Sequence, residues 1–511
     1  MNVDRARPGS ARAVRSAGTV QEVVPGTRRT VLLVLGLVAV TVVVRLPFLT
    51  APLSADEGGL LLVGSQWGPG SSLYGDYWVD RPPLLLAFFA LADRLGGQVA
   101  LRSLGLVAVA CSVVAAAFVG AVTAAGPARP RTAIACAVTA AVFLSTPVFG
   151  PEEVNGELFA TPLLLAGLGL LVAALRSSAD RARAALTLGA GAVGAAAVLV
   201  KQNAWDVLVV LTVLTLSTRW AGVGPRVTVR DALTAGAGAA AVVGLAVLAA
   251  AALGTAPAAL WDAVVVFRVE AAQVIGRSAG PATGQRLRLL VLALLVSGAP
   301  FVLALLVLRG RGAPAAGSLD LRWAAGALLV WEFFVVVAGG SYWLQYLLVL
   351  VPGLVLSVAL LEAGRASPAT ARWTVTGPVL AVAAAACVVA LSWTTLRADA
   401  PRGPSPVVSW LRANTGPGDD LVIGYGHPDV LQASGLQSPY PDIWSLPVRV
   451  HDPYLHDLTA LLSSERAPDW VVLTGKDLRT WGIDATAGTA ALRASYTQIH
   501  EVDGYEIYRR D

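Results

Sequence analysis

The sequence predicts a polytopic α-helical membrane protein of about 11 spans, followed by a small exterior α/β domain. Three observations carry this prediction. The 511 residues are 56% hydrophobic and only 14% charged, against roughly 25% charged in ordinary soluble domains. Apolar stretches near the length that crosses a hydrocarbon core, roughly 17–25 residues, recur between residues 31 and 395. Beyond Leu396 the composition turns polar, and Pro401, Pro404 and Pro406 mark a linker.

Residues 1–30 form a basic tail carrying Arg5, Arg7, Arg12, Arg15, Arg28 and Arg29, which marks a cytoplasmic flank. Spans are expected at about 31–49, 102–123, 132–149, 160–176, 185–200, 204–218, 231–253, 287–308, 323–339, 343–361 and 373–395. Arg28-Arg29 reads as a positive-inside flank rather than a twin-arginine export signal, because more spans follow and no small-residue cleavage site is evident. Counting from a cytoplasmic N-terminus, Arg129/Arg131, Arg181/Arg183, Arg219/Arg226/Arg230, Arg309/Arg311 and Arg365/Arg372 all fall on inside loops. The alternate connections then face outside: 51–101, 150–159, 201–203, 255–286, 339–342 and everything after about 396. The expected location is the plasma (cytoplasmic) membrane, with the C-terminal domain extracytoplasmic. The net charge of +5 is mostly this topological arginine, so no nucleic-acid partner is supported. Cys111, Cys136 and Cys387 fall within spans, where a free thiol acts as a small hydrophobe. They imply neither a disulfide framework nor a metal cluster.

The first exterior loop, 50–101, holds ADEGG, then the aromatic GSQWGPGSSLYGDYWVDRPP, then LLLAFFALADRLGG. The apolar part of the last piece is too short to span and belongs in the interface or partway into the membrane. Trp67, Tyr74, Tyr77 and Trp78 suit headgroup depth, so the loop reads as a structured cap. The exterior domain, 397–511, holds all four histidines: His427, His451, His456 and His500. LVIGYG (421–426) and DWVVLTG (469–475) read as strands preceded by helices, and YTQIHEVDGYEIYRR as a hairpin turning at Asp503-Gly504. The histidines are expected at the surface, since the HxxxxH from His451 to His456 lacks a metalloprotease pattern.

Ionisable groups near membrane depth are costly and call for an explanation. On the exterior side they comprise Asp56, Glu57, Asp76, Asp80-Arg81, Arg102, Glu152, Glu153, Glu157 and Lys201-Gln202. If one bundle gathers them around a cavity, the carboxylates handle a proton and the cations hold an anion. That combination fits transfer of a sugar from a lipid phosphate. A positioned base that deprotonates the acceptor hydroxyl contributes roughly 10²–10⁴-fold, and Lys or Arg in a poorly hydrated site stabilises the departing phosphate. Structural alternatives stand beside each residue. Asp56 and Glu57 also suit a helix end at the interface, Lys201 a snorkelling side chain, and Arg81 and Arg102 pairing with Asp80 and Asp93.

The run RLPFLTAPLSADEGG, followed by SLYGDYWVDRPPLLLAFFAL and ALRSLG, resembles the GT-C superfamily of membrane glycosyltransferases. Within it, the branch of protein O-mannosyltransferases and lipid A aminoarabinose transferases is the nearest match. The resemblance covers about Arg45 to Tyr346 and is specific mainly in the first 160 residues. It implies an inverting glycosyltransferase that moves a monosaccharide from a polyprenyl-phosphate carrier to a hydroxyl on a glycan, glycolipid or protein. By the same resemblance Asp56 is the catalytic base, with Glu57 supporting it. Glu157 orients sugar or acceptor, with Glu153 a rival for that position. Arg81 falls in a K/R-P-P element, Arg102 matches an arginine opening the next span, and Lys201, beside Gln202, matches a lysine near the donor phosphate, which Lys201 and Arg102 together are expected to steady. Tyr342, Gln345 and Tyr346 lie where such enzymes re-enter a late span, although Gln345 replaces a common basic residue. Some members use a divalent ion, but no ligand set here specifies one. The alternatives are a lipid-linked-sugar flippase, for which inverted repeats and charges near the midplane are expected, and a non-catalytic membrane scaffold.

Overall fold

The computed structural model describes residues 25–221, 227–277, 281–309, 319–364, 405–475, 477–480 and 482–511, together with 385, 388 and 389. Apart from those last three positions, the expected span 373–395 lies outside the described residues, as do Cys387 and the tail 1–24.

The chain folds as a multi-pass helical membrane protein. Helix α1 (Pro25–Arg45) is followed by two short helices of the first loop, α2 (Ala55–Ser65) and α3 (Pro83–Arg94). Then come α4 (Gln98–Thr123), α5 (Ala128–Ser145), α6 (Gly156–Arg176), α7 (Asp180–Val200), α8 (Asp206–Leu216) and α9 (Val229–Ala252). Among the described residues, six helical segments are long and apolar enough to cross a membrane: Arg28–Thr50, Gln98–Thr123, Gly156–Arg176, Asp180–Val200, Val229–Ala252 and Leu344–Ala363. Three further expected spans are met by shorter helices: α5, α8 and the later Arg322–Ala338.

The expected span 287–308 is interrupted partway. It is two helices, Pro281–Val296 and Ala299–Arg309, bent by 60°. Gly298 has φ +84° and Pro300 follows it, a combination that cannot continue an α-helix.

Neighbouring helices pack through small residues, which let backbones approach closely. A Cβ on Gly191 of α7 would lie 1.9 Å from the Ala235 carbonyl of α9, and one on Gly238 of α9 would lie 2.1 Å from the Leu188 carbonyl of α7. Leu32, Leu35, Leu245, Leu248, Leu292 and Leu295 stay exposed on the outer faces, as lipid contact requires. In α3 the stretch LLLAFFAL does not span; it buries Leu85, Leu86 and Phe89 against the bundle.

The C-terminal segment forms a four-stranded sheet in the order β1 (Leu421–Ile423), β2 (Trp470–Leu473), β4 (Tyr505–Arg510), β3 (Tyr496–Val502). β1 pairs parallel with β2, and β3 and β4 form the expected hairpin, with Asp503 (φ +53°) and Gly504 (φ +77°) at its turn. This domain is seated on the first loop. The Trp78 N–H donates to the Pro441 carbonyl at 3.1 Å, and the Ser438 N–H donates to the Tyr77 hydroxyl at 3.0 Å.

The two glycines of ADEGG make that seating possible. A Cβ on Gly58 would lie 2.5 Å from Asp429 Cα, and one on Gly59 would lie 2.1 Å from Trp444 Cζ2. One apolar core therefore runs from the bundle into the sheet, taking in Val407, Ile423, Val430, Val472 and Ile507.

Candidate functional site

Ser54 starts α2. Its Oγ accepts from the Glu57 N–H at 3.4 Å while Glu57 Oε2 accepts from the Ser54 N–H at 2.9 Å, a reciprocal capping box. Asp56 and Glu57 both occupy the first helical turn, where negative charge complements the helix dipole. The helix turns these neighbours apart.

Glu57 is 1% exposed. Its Oε2 also pairs with Arg102 Nη2 at 2.9 Å, and its Oε1 accepts from the Val154 N–H at 2.7 Å. Burial pushes the Glu57 carboxyl up from its ordinary range, and Arg102 with the Ser54 and Val154 N–H groups offsets only part of this. Glu57 thus ties the first loop to α4 and to the loop before α6. Asp56 is exposed, and among the described residues no hydrogen bond or ion pair engages its carboxylate.

A second cluster is built on Asp80, which is buried. Arg81 Nη1 lies 2.5 Å from its Oδ1, and Arg268 pairs with its Oδ2. The Gln202 side-chain amide donates to the Asp80 carbonyl. Burial by itself would raise the Asp80 carboxyl, but Arg81 and Arg268 hold it below its ordinary value. One carboxylate between two guanidiniums leaves the cluster net positive. The Arg81 and Arg268 side chains stay 23% and 39% exposed, so both retain donors for a ligand.

Beside them, Lys201 Nζ pairs with Glu157 Oε1 at 2.8 Å and lies 5.8 Å from the Tyr346 ring centroid. Asp56, Glu157 and Tyr346 all act electrostatically on Arg81, which puts the exposed carboxylate and the cations in one neighbourhood. Glu153 receives the Gln345 amide at 3.2 Å. Burial, then the charges of Glu57, Asp56 and Glu152, push its carboxyl up to about 8. Tyr342 has a left-handed backbone, φ +56°, uncommon for a bulky residue. It marks the turn before Leu344–Ala363.

The structure therefore brings together Asp56, Arg81, Glu157, Lys201, Gln202 and Tyr346, while Glu153 and Gln345 form an adjoining pair. Of the structural alternatives, Arg81 does pair with Asp80, but Arg102 pairs with Glu57 rather than Asp93. Arg102 is 5% exposed and serves Glu57. Sequence reasoning missed Arg268, whose signal was a lone arginine after the apolar AVVVF in a segment expected outside. Among the described residues, no group of three or more His, Cys, Asp or Glu side chains is placed to hold a metal ion.

The bundle, the first-loop helices and the seated α/β domain form a fold shared with solved membrane glycosyltransferases. Among solved structures, the chain is similar to ArnT from Cupriavidus metallidurans in the apo state, with TM-score 0.56 and 15% identity over 94% of this chain and 98% of that one. The same protein bound to undecaprenyl phosphate gives TM-score 0.55 at 14% identity, covering 93% and 97%. The Archaeoglobus fulgidus oligosaccharyltransferase tethered to an acceptor peptide gives TM-score 0.54 at 12% identity, covering 92% and 72%. No protein-family model matches the sequence, and no curated protein matches it.

Proposed function

We propose that this protein is an inverting glycosyltransferase that moves a monosaccharide from a polyprenyl-phosphate carrier to an acceptor hydroxyl on the extracytoplasmic face of the plasma membrane. One observation carries the reading: the unengaged carboxylate of Asp56 shares a neighbourhood with two partly exposed guanidiniums, Arg81 and Arg268, held together by Asp80. Base and anion clamp are the two elements that a direct displacement needs. The solved ArnT structure with bound undecaprenyl phosphate has the same fold, which supports a lipid-phosphate donor.

In this mechanism the acceptor O–H gives its proton to Asp56 as its oxygen attacks the anomeric carbon. The bond from that carbon to the phosphate oxygen breaks from the opposite side, which inverts the configuration. The electron pair leaves on the lipid phosphate, where Arg81 and Arg268 stabilise the added charge. Lys201, paired with Glu157, borders the phosphate, and Glu157 and Tyr346 face the sugar. Glu153 and Gln345 line the acceptor side. Glu57 and Arg102 hold α2 so that Asp56 faces outward.

The test is Asp56→Asn. The variant is expected to bind undecaprenyl phosphate as the wild type does and to lose at least about 10²-fold in transfer. Full transfer activity in that variant overturns the assignment.

A further inference from the structure

An aromatic contact with the C-terminal domain adjoins the proposed phosphate clamp. Trp78, two residues before Asp80, and Phe267, immediately before Arg268, meet with ring centroids 4.2 Å apart. His451 of the helix Ser445–His451 packs against both, at 4.6 Å from Trp78 and 5.2 Å from Phe267. The three rings come from three separate parts of the chain, and Phe267 is 1% exposed. The same helix is anchored independently, with Arg449 Nη2 donating to the Val274 carbonyl at 3.2 Å. His451, expected at the surface, keeps its side chain 34% exposed while one face of its ring packs at this junction.

We infer that His451 is a positioning residue for the phosphate clamp, through which the C-terminal domain sets the separation of Arg81 and Arg268. The inference rests on the function proposed above. A shift of Trp78 is passed along two residues of backbone to Asp80, and a shift of Phe267 passes directly to Arg268. The Asp80 bridge therefore keeps its geometry only while the three rings stay packed.

The contact is also sensitive to protonation. His451 Nδ1 lies 3.4 Å from Asp442 Oδ1. Asp262 and Glu270, which flank Phe267, add negative charge, Arg449 lies on the same helix, and Asp76, Asp80 and Arg81 flank Trp78. Burial lowers the His451 value, but the Asp442 bond and these carboxylates outweigh it and raise it above the ordinary 6.5. A raised value means that the protonated form favours the docked state. Docking is therefore firmest at low pH and weakens as pH rises through the raised value.

The experiment measures binding of undecaprenyl phosphate, with uncharged undecaprenol as control, to the full-length protein in detergent across a pH series. His451→Ala is expected to weaken undecaprenyl phosphate binding by about five- to tenfold, the factor equivalent to loss of an aromatic contact, and to leave undecaprenol binding unchanged. His451→Phe keeps a ring in the junction and is expected to recover most of the affinity while losing the pH dependence above 6.5. That variant also keeps the test open if His451→Ala fails to fold. Unchanged affinity and pH profile in both variants overturn the inference, and so does equal weakening of both lipids. Arg268→Ala separates the two levels of the argument. If it leaves undecaprenyl phosphate binding intact, the clamp itself is wrong; if it weakens binding while the His451 variants do not, only the positioning role is wrong.

Discussion

Asp56 and Glu57 are chemically alike and adjacent, yet the structure predicts opposite consequences for their loss. Glu57→Gln leaves Arg102, 5% exposed, without its direct ion-pair partner, Glu152 and Glu153 acting on it only through space. Removing one partner of a buried ion pair costs about 3–5 kcal/mol, and the retained amide oxygen still accepts from a backbone N–H, so about 3 kcal/mol is expected. Glu57→Ala also strands the Ser54 and Val154 N–H groups, each worth about 1–3 kcal/mol when left unpaired. Those penalties overlap, and a total near 5 kcal/mol is expected. Asp56→Asn touches an exposed side chain without hydrogen-bond or ion-pair partners among the described residues, so its effect is expected within about 0.5 kcal/mol of zero. The assay is denaturant unfolding of the detergent-solubilised protein, followed by tryptophan fluorescence and compared at constant slope. The reasoning is refuted if Glu57→Gln unfolds with the wild type, or if Asp56→Asn loses more than about 1 kcal/mol.

Three further outcomes are expected. Because the Glu153 carboxyl is raised to about 8, the folded state holds a proton that the unfolded state releases, and its contribution to stability is lost as pH rises through that value. Glu153→Gln should therefore stabilise the protein above pH 8 by roughly 1–2 kcal/mol, discounted for the partly exposed side chain, and flatten the dependence of unfolding on pH. Gly59→Ala places a Cβ where Trp444 Cζ2 stands 2.1 Å away and should cost about 1–3 kcal/mol by overpacking. Combining it with Trp444→Ala should relieve part of that cost in a double-mutant unfolding cycle. Arg268→Ala should reduce transfer by about 10²-fold, as loss of a preorganised charge donor does, with unfolding measurements checking that the fold persists.

Much of the architecture was legible because membrane solvation writes itself into composition. Spans that stand alone, such as 102–123 and 231–253, match α4 and α9 closely because apolar length alone decides them. The break within 287–308 was hidden by its mean apolarity, although Gly298 followed by Pro300 was a visible signal of it. The short α2 was also readable, since SADE is a capping-box sequence, although an apolar-run reading passes over it. The pairing of Glu57 with Arg102 was not legible, because 45 positions separate them and Asp93 was an equally charged rival. Arg268 lies 188 positions from Asp80, and no local pattern announces that contact. The surface reading of the histidines holds at His451, which stays exposed; its ring packing against Trp78 and Phe267 was not legible, because the three rings lie far apart in the sequence.

The central claim is that this protein breaks a bond to a lipid phosphate and makes one to an acceptor hydroxyl. The most direct test incubates the purified protein, reconstituted in vesicles, with radiolabelled polyprenyl-phosphate sugar and an extract of envelope acceptors. The account predicts that label enters an acceptor as free lipid phosphate appears in equal amount, with inverted anomeric configuration and no transfer by Asp56→Asn. Label that crosses the bilayer still attached to its lipid, or stays on the lipid unmoved, would contradict it.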